Sequence, residues 1–194
     1  MQLKKNNNKV LLHTCCAICS GYPIRKLQEL EYEPIAYFFN PNIYPDSEYQ
    51  KRLESQKRLC DELKCELIVE DYTPNIYMDI MQGFDGYEEG SARCKRCSEL
   101  RLLRTIQKAK ELEIDKYTTS ISISPHKSFT VIKDLAKFFA GYFQAEFIDI
   151  DFREQNGFLK TNQTSKELNL YRQNYCGCET SMQRLQDVAI KKMI

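Results

Sequence analysis

The chain has 194 residues, 42% hydrophobic and 28% charged, enough for one domain with a real core and a soluble surface. A formal net charge of +1 excludes a global field that draws the protein to nucleic acid or membrane, so an anionic partner must meet a local patch. The opening MQLKKNNNKVLLH has too short an apolar run for a signal peptide, and no stretch approaches a membrane span, so the expectation is a cytoplasmic protein with reduced thiols and no membrane partner.

Residues 9–14 (KVLLHT) form a short apolar run and predict a buried strand, and the polar run 4–9 before it reads as a frayed end. A thiol-rich loop follows at 15–20, and 22–30 has helical spacing. Residues 34–39 (PIAYFF) predict a second strand. The turn-rich NPNIYPD leads to a helix over 47–63, then a strand over 65–70 (CELIVE). A short helix is expected near 76–82, then a glycine-punctuated loop. Residues 93–112 are strongly helical, with Leu100, Leu103, Ile106 and Ala109 on one apolar face. A β-rich run over 117–123 ends at Ser124-Pro125, and 128–143 is helical. The fifth strand is expected at 145–150, followed by a polar loop, a helix around 165–170 and a last helix after Cys178. This alternation predicts an α/β fold with a largely parallel, Rossmann-like sheet and helices on both faces. Residues 1–194 read as one domain, with 151–194 a C-terminal helical extension.

Seven of the nine cysteines stand in three clusters: Cys15, Cys16 and Cys19; Cys94 and Cys97; Cys176 and Cys178. Such density without secretory features points to metal binding or thiol redox chemistry rather than a disulfide framework. Cys15, Cys16 and Cys19 follow the first strand, at the carboxyl rim where open parallel sheets bind ligands. A nucleotide-binding relative would carry a glycine-rich phosphate loop there; CCAICSGY has one glycine, which argues against ATP. Cys94 and Cys97 open a helix, where free N–H groups favour thiolate. The glycine of Cys176-Gly-Cys178 allows a sharp bend, suiting a strained disulfide or a chelate. Four thiolates suffice for a structural zinc or a [4Fe–4S] cluster, and the surplus favours a redox centre with an additional thiol pair. Cys60 and Cys65 read as buried packing.

His13 reads as a core histidine beside the thiol loop. His126 is either a helix-start residue or a proton donor at the rim, and Asp151 either a base or a cap. Arg93, Lys95, Arg96, Arg101 and Arg104 make a basic face, either solvated or available to phosphate. Tyr44 is placed to stack on a base.

LHTCCAIC (12–19), NPNIYPDSEY (40–49), RCKRC (93–97), SISPHKS (122–128), DFREQNG (151–157) and LYRQNYCGC (170–178) stand in the order found in one family. The chain resembles the QueH-type epoxyqueuosine reductases, and the matching segments span nearly its whole length. The resemblance implies reduction of epoxyqueuosine to queuosine at the wobble position of tRNA, with an iron–sulfur cluster and no cobalamin. It implies Cys15, Cys16, Cys94 and Cys97 as [4Fe–4S] ligands. Cys176 and Cys178 match a redox-active pair, also implicated in holding an additional mononuclear iron. The chain departs from the family at Cys19, where some members carry aspartate, and at Glu154, where a lysine-like residue is expected.

Removing an epoxide oxygen as water takes two electrons and two protons, so a one-electron cluster needs a second store. The Cys176/Cys178 pair or an adjacent iron fills that place, His126 or Asp151 handles protons, and an electron donor outside the chain is required. The rival readings are a zinc-stabilised tRNA-binding module and a tRNA-thiolating enzyme of the ATP-pyrophosphatase type.

Overall fold

The computed structural model describes residues 8–84 and 88–191, so residues 4–7 of the polar run and 85–87 of the glycine-punctuated loop lie outside the described residues. Five strands form one parallel sheet in the order β3-β2-β1-β4-β5: β1 (Lys9–His13), β2 (Glu33–Phe38), β3 (Glu66–Val69), β4 (Lys116–Thr119) and β5 (Glu146–Phe147). The connecting helices are α1 (Ala17–Glu29), α2 (Asp46–Glu62), α3 (Pro74–Met81), α4 (Ala92–Glu111), α5 (Phe129–Phe143), α6 (Gly157–Glu167) and α7 (Glu179–Lys191). Among the described residues no helix is long and apolar enough to cross a membrane.

The two-residue period of β1 divides the core. Val10 and Leu12 pack with Leu27 of α1, Leu59 of α2, Phe152 and Leu170. Leu11 points the other way, with Leu102 and Ile106 of α4 and Ile132 and Ala136 of α5. Helices therefore cover both faces, as the alternating pattern predicts. β1 is paired with β2 on one side and β4 on the other, so the chain winds outward in both directions from it. The crevice beyond the carboxyl ends of β1 and β4 is the topological switch point, where such sheets bind ligands.

Four expected elements differ. The strand over 117–123 stops at Thr119, because its side chain accepts from the Ile121 N–H (3.2 Å) and turns residues Ser120–Ile123 into a 3-10 helix. The strand over 145–150 pairs only at Glu146–Phe147; the Thr118 hydroxyl then takes the Ile148 carbonyl (3.0 Å) and the ladder ends. The polar stretch before 165 is helix, as α6 starts at Gly157. Its buried face is Gly157, Thr161, Thr164 and Ser165, with no apolar stripe to reveal it. Thr161 donates to the Ile18 carbonyl (2.7 Å), and Gly21 lets α1 and α6 meet, since a Cβ there would lie 2.8 Å from Thr164 Cγ2. Gly21 thus serves close packing inside α1 rather than a turn before it, so the helix begins five residues earlier than its spacing suggests.

Arg52 ties α2 to the C-terminal segment. It is 2% exposed. Its Nε donates to Glu48 (2.8 Å), and its two terminal nitrogens donate to the carbonyls of Cys176 (2.9 Å) and Tyr175 (3.1 Å). Tyr171 donates its hydroxyl to the other Glu48 oxygen (2.7 Å), and the guanidinium lies 5.1 Å from the Tyr175 ring centroid.

Two substitutions test this packing. Gly157→Ala places a Cβ 1.7 Å from the Phe152 carbonyl oxygen; a backbone contact that short cannot relax locally, and a loss of about 3 kcal/mol is expected in urea unfolding. Arg52→Met leaves Glu48 buried without its cation, with an expected loss of about 3–5 kcal/mol. The same variant should speed alkylation of Cys176, because the carbonyls flanking it lose their anchor.

Candidate functional site

A cavity of about 420 Å³ opens at the switch point. Cys15, Cys16 and Cys19 form one wall, Cys176 and Gln173 another, with Arg101, His126 and Lys127 also on its lining. The sulfurs of Cys15, Cys16 and Cys19 lie within 4.8 Å of one another, a spacing that suits ligation of one metal centre. Cys19, where the chain departs from some family members, completes this group. It follows from the helix: Cys16 is the N-cap of α1 and Cys19 stands in its first turn.

Cys16 is the sulfur on which donors converge. Cys15 Sγ lies 4.0 Å away as a donor, and Gln173 Nε2 donates at 2.8 Å. Hydrogen bonds from Cys15 and Cys19 hold the Cys16 thiol well below its ordinary pKa. The donors move the other way: Cys15 is pushed up to about 11, chiefly by its bond to Cys16, and Cys19 is raised through its bonds to Cys15 and Cys16. Within the group, the pull toward thiolate thus falls on Cys16. Among the described residues no side chain caps α1, and its first turn holds no acid, so free N–H groups there also favour an anion.

Cys97 is 8% exposed and is pushed up to about 11, chiefly by burial. It interacts electrostatically with Cys176 and Cys178. Cys94 lines an adjoining pocket of about 260 Å³, which shares His126 and Lys127 with the cavity. Its sulfur accepts from the Gly90 N–H (3.2 Å) and faces Lys127 Nζ at 3.8 Å. Cys94 and Cys97 therefore lie beside the compact group, not within it. In the C-terminal pair, Cys176 lines the cavity while Cys178 is buried and accepts from Arg93 at 2.9 Å. Gly177 has φ +126°, and a Cβ there would meet the Arg52 guanidinium at 2.8 Å, so the bend requires glycine. All nine cysteines are free thiols.

The expected basic face of α4 is not one face. Arg93 and Arg101 are buried, 3% and 4% exposed, whereas Arg96 pairs with Glu99 and Arg104 with Glu70 and Glu111. Arg93, Cys97, Arg101 and Thr105 recur every four residues and form a buried polar stripe. That spacing was the available signal for their role, and the apolar stripe beside it drew attention away. Among the described residues no carboxylate pairs with Arg93 or Arg101. The groups that face them are thiols and a phenol: Cys178, Cys94 and Tyr77 for Arg93, and Cys97, Cys176, Cys15 and Tyr77 for Arg101. Buried cations without a carboxylate partner would suit an anionic, thiolate-held metal centre beside them.

Other expected residues are also placed. His126 is exposed at the rim of both cavities. Asp151 is not at a strand end and lines neither cavity. Both its oxygens are taken by Arg153 (3.0 and 2.7 Å), which holds its carboxyl below the usual range, so it serves as a brace and not a base. His13 is fully buried between Thr119 (3.0 Å) and the Phe39 carbonyl (3.1 Å). Burial, with the Arg101 charge, pushes it down to about 3, so it stays neutral and structural. Cys60 and Cys65 are buried away from the cavity, bonded to Gln56 (3.2 Å) and the Pro34 carbonyl (3.1 Å). Tyr44 is 44% exposed, with its N–H on the Gly177 carbonyl (2.8 Å). Arg52 and Gln173 escaped the sequence reading, since neither carries a pattern of its own.

The fold is similar to that of the U34-tRNA thiolase NcsA from Methanococcus maripaludis, solved with its [4Fe-4S] cluster, at a TM-score of 0.58 and 15% identity over 95% of this chain and 66% of that one. A protein of Streptococcus pyogenes serotype M1 named epoxyqueuosine reductase QueH is 33% identical over 191 residues, covering 94% of this chain and 74% of that protein. A Thermotoga maritima protein of the same name is 32% identical over 89% of this chain and 90% of its own length. Residues 10–184 match the family described as epoxyqueuosine reductase QueH, a span that takes in every clustered cysteine, and the chain belongs to that family.

Proposed function

We infer that the chain is an oxidoreductase that reduces epoxyqueuosine in tRNA to queuosine, using a metal centre held by its cysteines. The observation that carries this reading is the gathering of Cys15, Cys16, Cys19 and Cys176 around one cavity at the switch point of a chain that belongs to this family. Cys15 and Cys16 are the ligands that the family resemblance implies and that the spacing of the three sulfurs supports. Cys19 supplies a third sulfur, and Cys94 and Cys97 approach from α4. When bound, a [4Fe–4S] cluster supplies electrons one at a time at low potential.

The rest of the chemistry falls to the chain. Opening the epoxide to the alkene consumes two electrons and two protons and releases water. The Cys176/Cys178 dithiol yields two electrons and two protons on closing to a disulfide, which balances that requirement, and a donor outside the chain restores it. Cys176 faces the cavity, while Arg93 holds Cys178 behind it. His126 stands at the rim, where a proton can pass to the leaving oxygen. Arg101 presents fixed positive charge to the cavity, which favours negative charge developing there.

Anaerobic reconstitution with iron and sulfide, followed by turnover on epoxyqueuosine-bearing tRNA, tests this reading. A brown protein that produces queuosine is expected; a colourless protein that binds only zinc and lacks turnover would reject it. Replacing both Cys176 and Cys178 by Ala should keep iron content and visible absorption while abolishing turnover. Near-normal turnover would remove the pair from the reaction. Cys97→Ser should bleach the chromophore and Cys60→Ser should not, because a hydroxyl is a poor replacement for thiolate on iron.

A further inference from the structure

Gln173 makes a single hydrogen bond among the described residues, from Nε2 to Cys16 Sγ at 2.8 Å. Its other end, Oε1, is buried without a partner. The amide therefore has no structural bond except the one to sulfur. Its orientation follows from the neighbours: Cys15 already stands as a donor to Cys16, so Cys16 is the acceptor and the end facing it must be the NH₂.

The segment carrying Gln173 is fixed at both ends. The Tyr171 N–H donates to Ser55 (3.2 Å), and Arg52 grips the carbonyls of Tyr175 and Cys176. The amide is thus held against the sulfur before any centre forms. An unsatisfied buried carbonyl costs stability. That cost is understandable if the bond to sulfur has a use.

We propose that Gln173 is a positioning residue that raises the reduction potential of the metal centre by donating its amide N–H to Cys16. This rests on the reading of the site as a cysteine-held redox centre. A donor aimed at a ligating sulfur draws electron density from it. Reduction adds negative charge to the centre and its sulfurs, so the donor stabilises the reduced form more than the oxidised form. Removing the donor makes the centre harder to reduce.

The test is an anaerobic potentiometric titration of the reconstituted protein, followed by electron paramagnetic resonance, with iron content measured on each sample. Gln173→Met keeps the length of the side chain and removes the N–H. Its midpoint should move to more negative potential at unchanged iron content. Gln173→Glu, which brings a negative charge to the sulfur, should move it further in the same direction. Asn174→Ala, at a neighbouring cavity residue that bonds no sulfur among the described residues, should leave it in place. An unshifted midpoint in Gln173→Met with full iron overturns the proposal and leaves the function reading intact. Loss of iron in both Gln173 variants overturns it as well, since the residue would then hold the centre rather than tune it. A wild-type chain that takes up no iron overturns both.

Discussion

A buried guanidinium must find acceptors for its N–H groups or the fold loses several kcal/mol. Arg52 meets that demand with one carboxylate and two backbone carbonyls, and the carbonyls belong to Tyr175 and Cys176. One side chain on α2 thus fixes where a segment more than a hundred residues later must lie. Cys176 reaches the cavity, Gly177 must bend around the guanidinium, and Gln173 is held against Cys16 because Arg52 is where it is. The carboxylate that balances Arg52 is bonded to Tyr171 in the same segment, so the contact is closed on both sides.

Arg93 and Arg101 pose a different problem. They are as buried as Arg52 but have no carboxylate among the described residues. A cation in that position is tolerable only when something nearby is negative, and cysteines with the Tyr77 phenol are what surround these two. Thiolates gathered on a metal would supply that negative charge. The buried cations that cost stability are thus the ones that would favour an anionic centre. Burial, helped by the Arg101 charge, keeps His13 neutral, so the strand beneath the site does not titrate into it at ordinary pH.

Most of the scaffold was legible, because β1, β2 and the helices α2, α4 and α5 announce themselves by apolar period. CCAIC, RCKRC and CGC pointed to the carboxyl rim, where Cys15, Cys16, Cys19 and Cys176 line the cavity and Cys94 lines an adjoining pocket. What stayed hidden was hidden for physical reasons. α6 buries threonines and glycine, so it has no hydrophobic stripe to read. Arg93 and Arg101 look like surface charges, because a sequence gives no sign that they will be buried beside thiols instead of carboxylates. Asp151 resembled a base until Arg153 two residues on was seen to occupy both its oxygens. Cys19 looked peripheral in a loop; the chain is already helical there, and one turn of α1 brings it back over Cys15 and Cys16.

The switch point explains why thiols stand where a phosphate loop would be expected. The carboxyl end of β1 opens into the N-terminus of α1, whose free N–H groups attract negative charge whatever its source. Glycines at that place let backbone amides wrap a phosphate. Here Cys16 stands at the same place as the thiol drawn toward thiolate, with the Cys19 N–H as its backbone partner. The geometry of the fold is unchanged, and only the ligand chemistry is different. Cys16 gathers the most: it stands at the N-cap position of α1, accepts from Cys15 and Gln173, and faces a cavity that Cys176 also lines. A redox site needs electron-rich sulfurs held in place and a polar shell that limits how electron-rich they become, and this arrangement provides both from fixed elements.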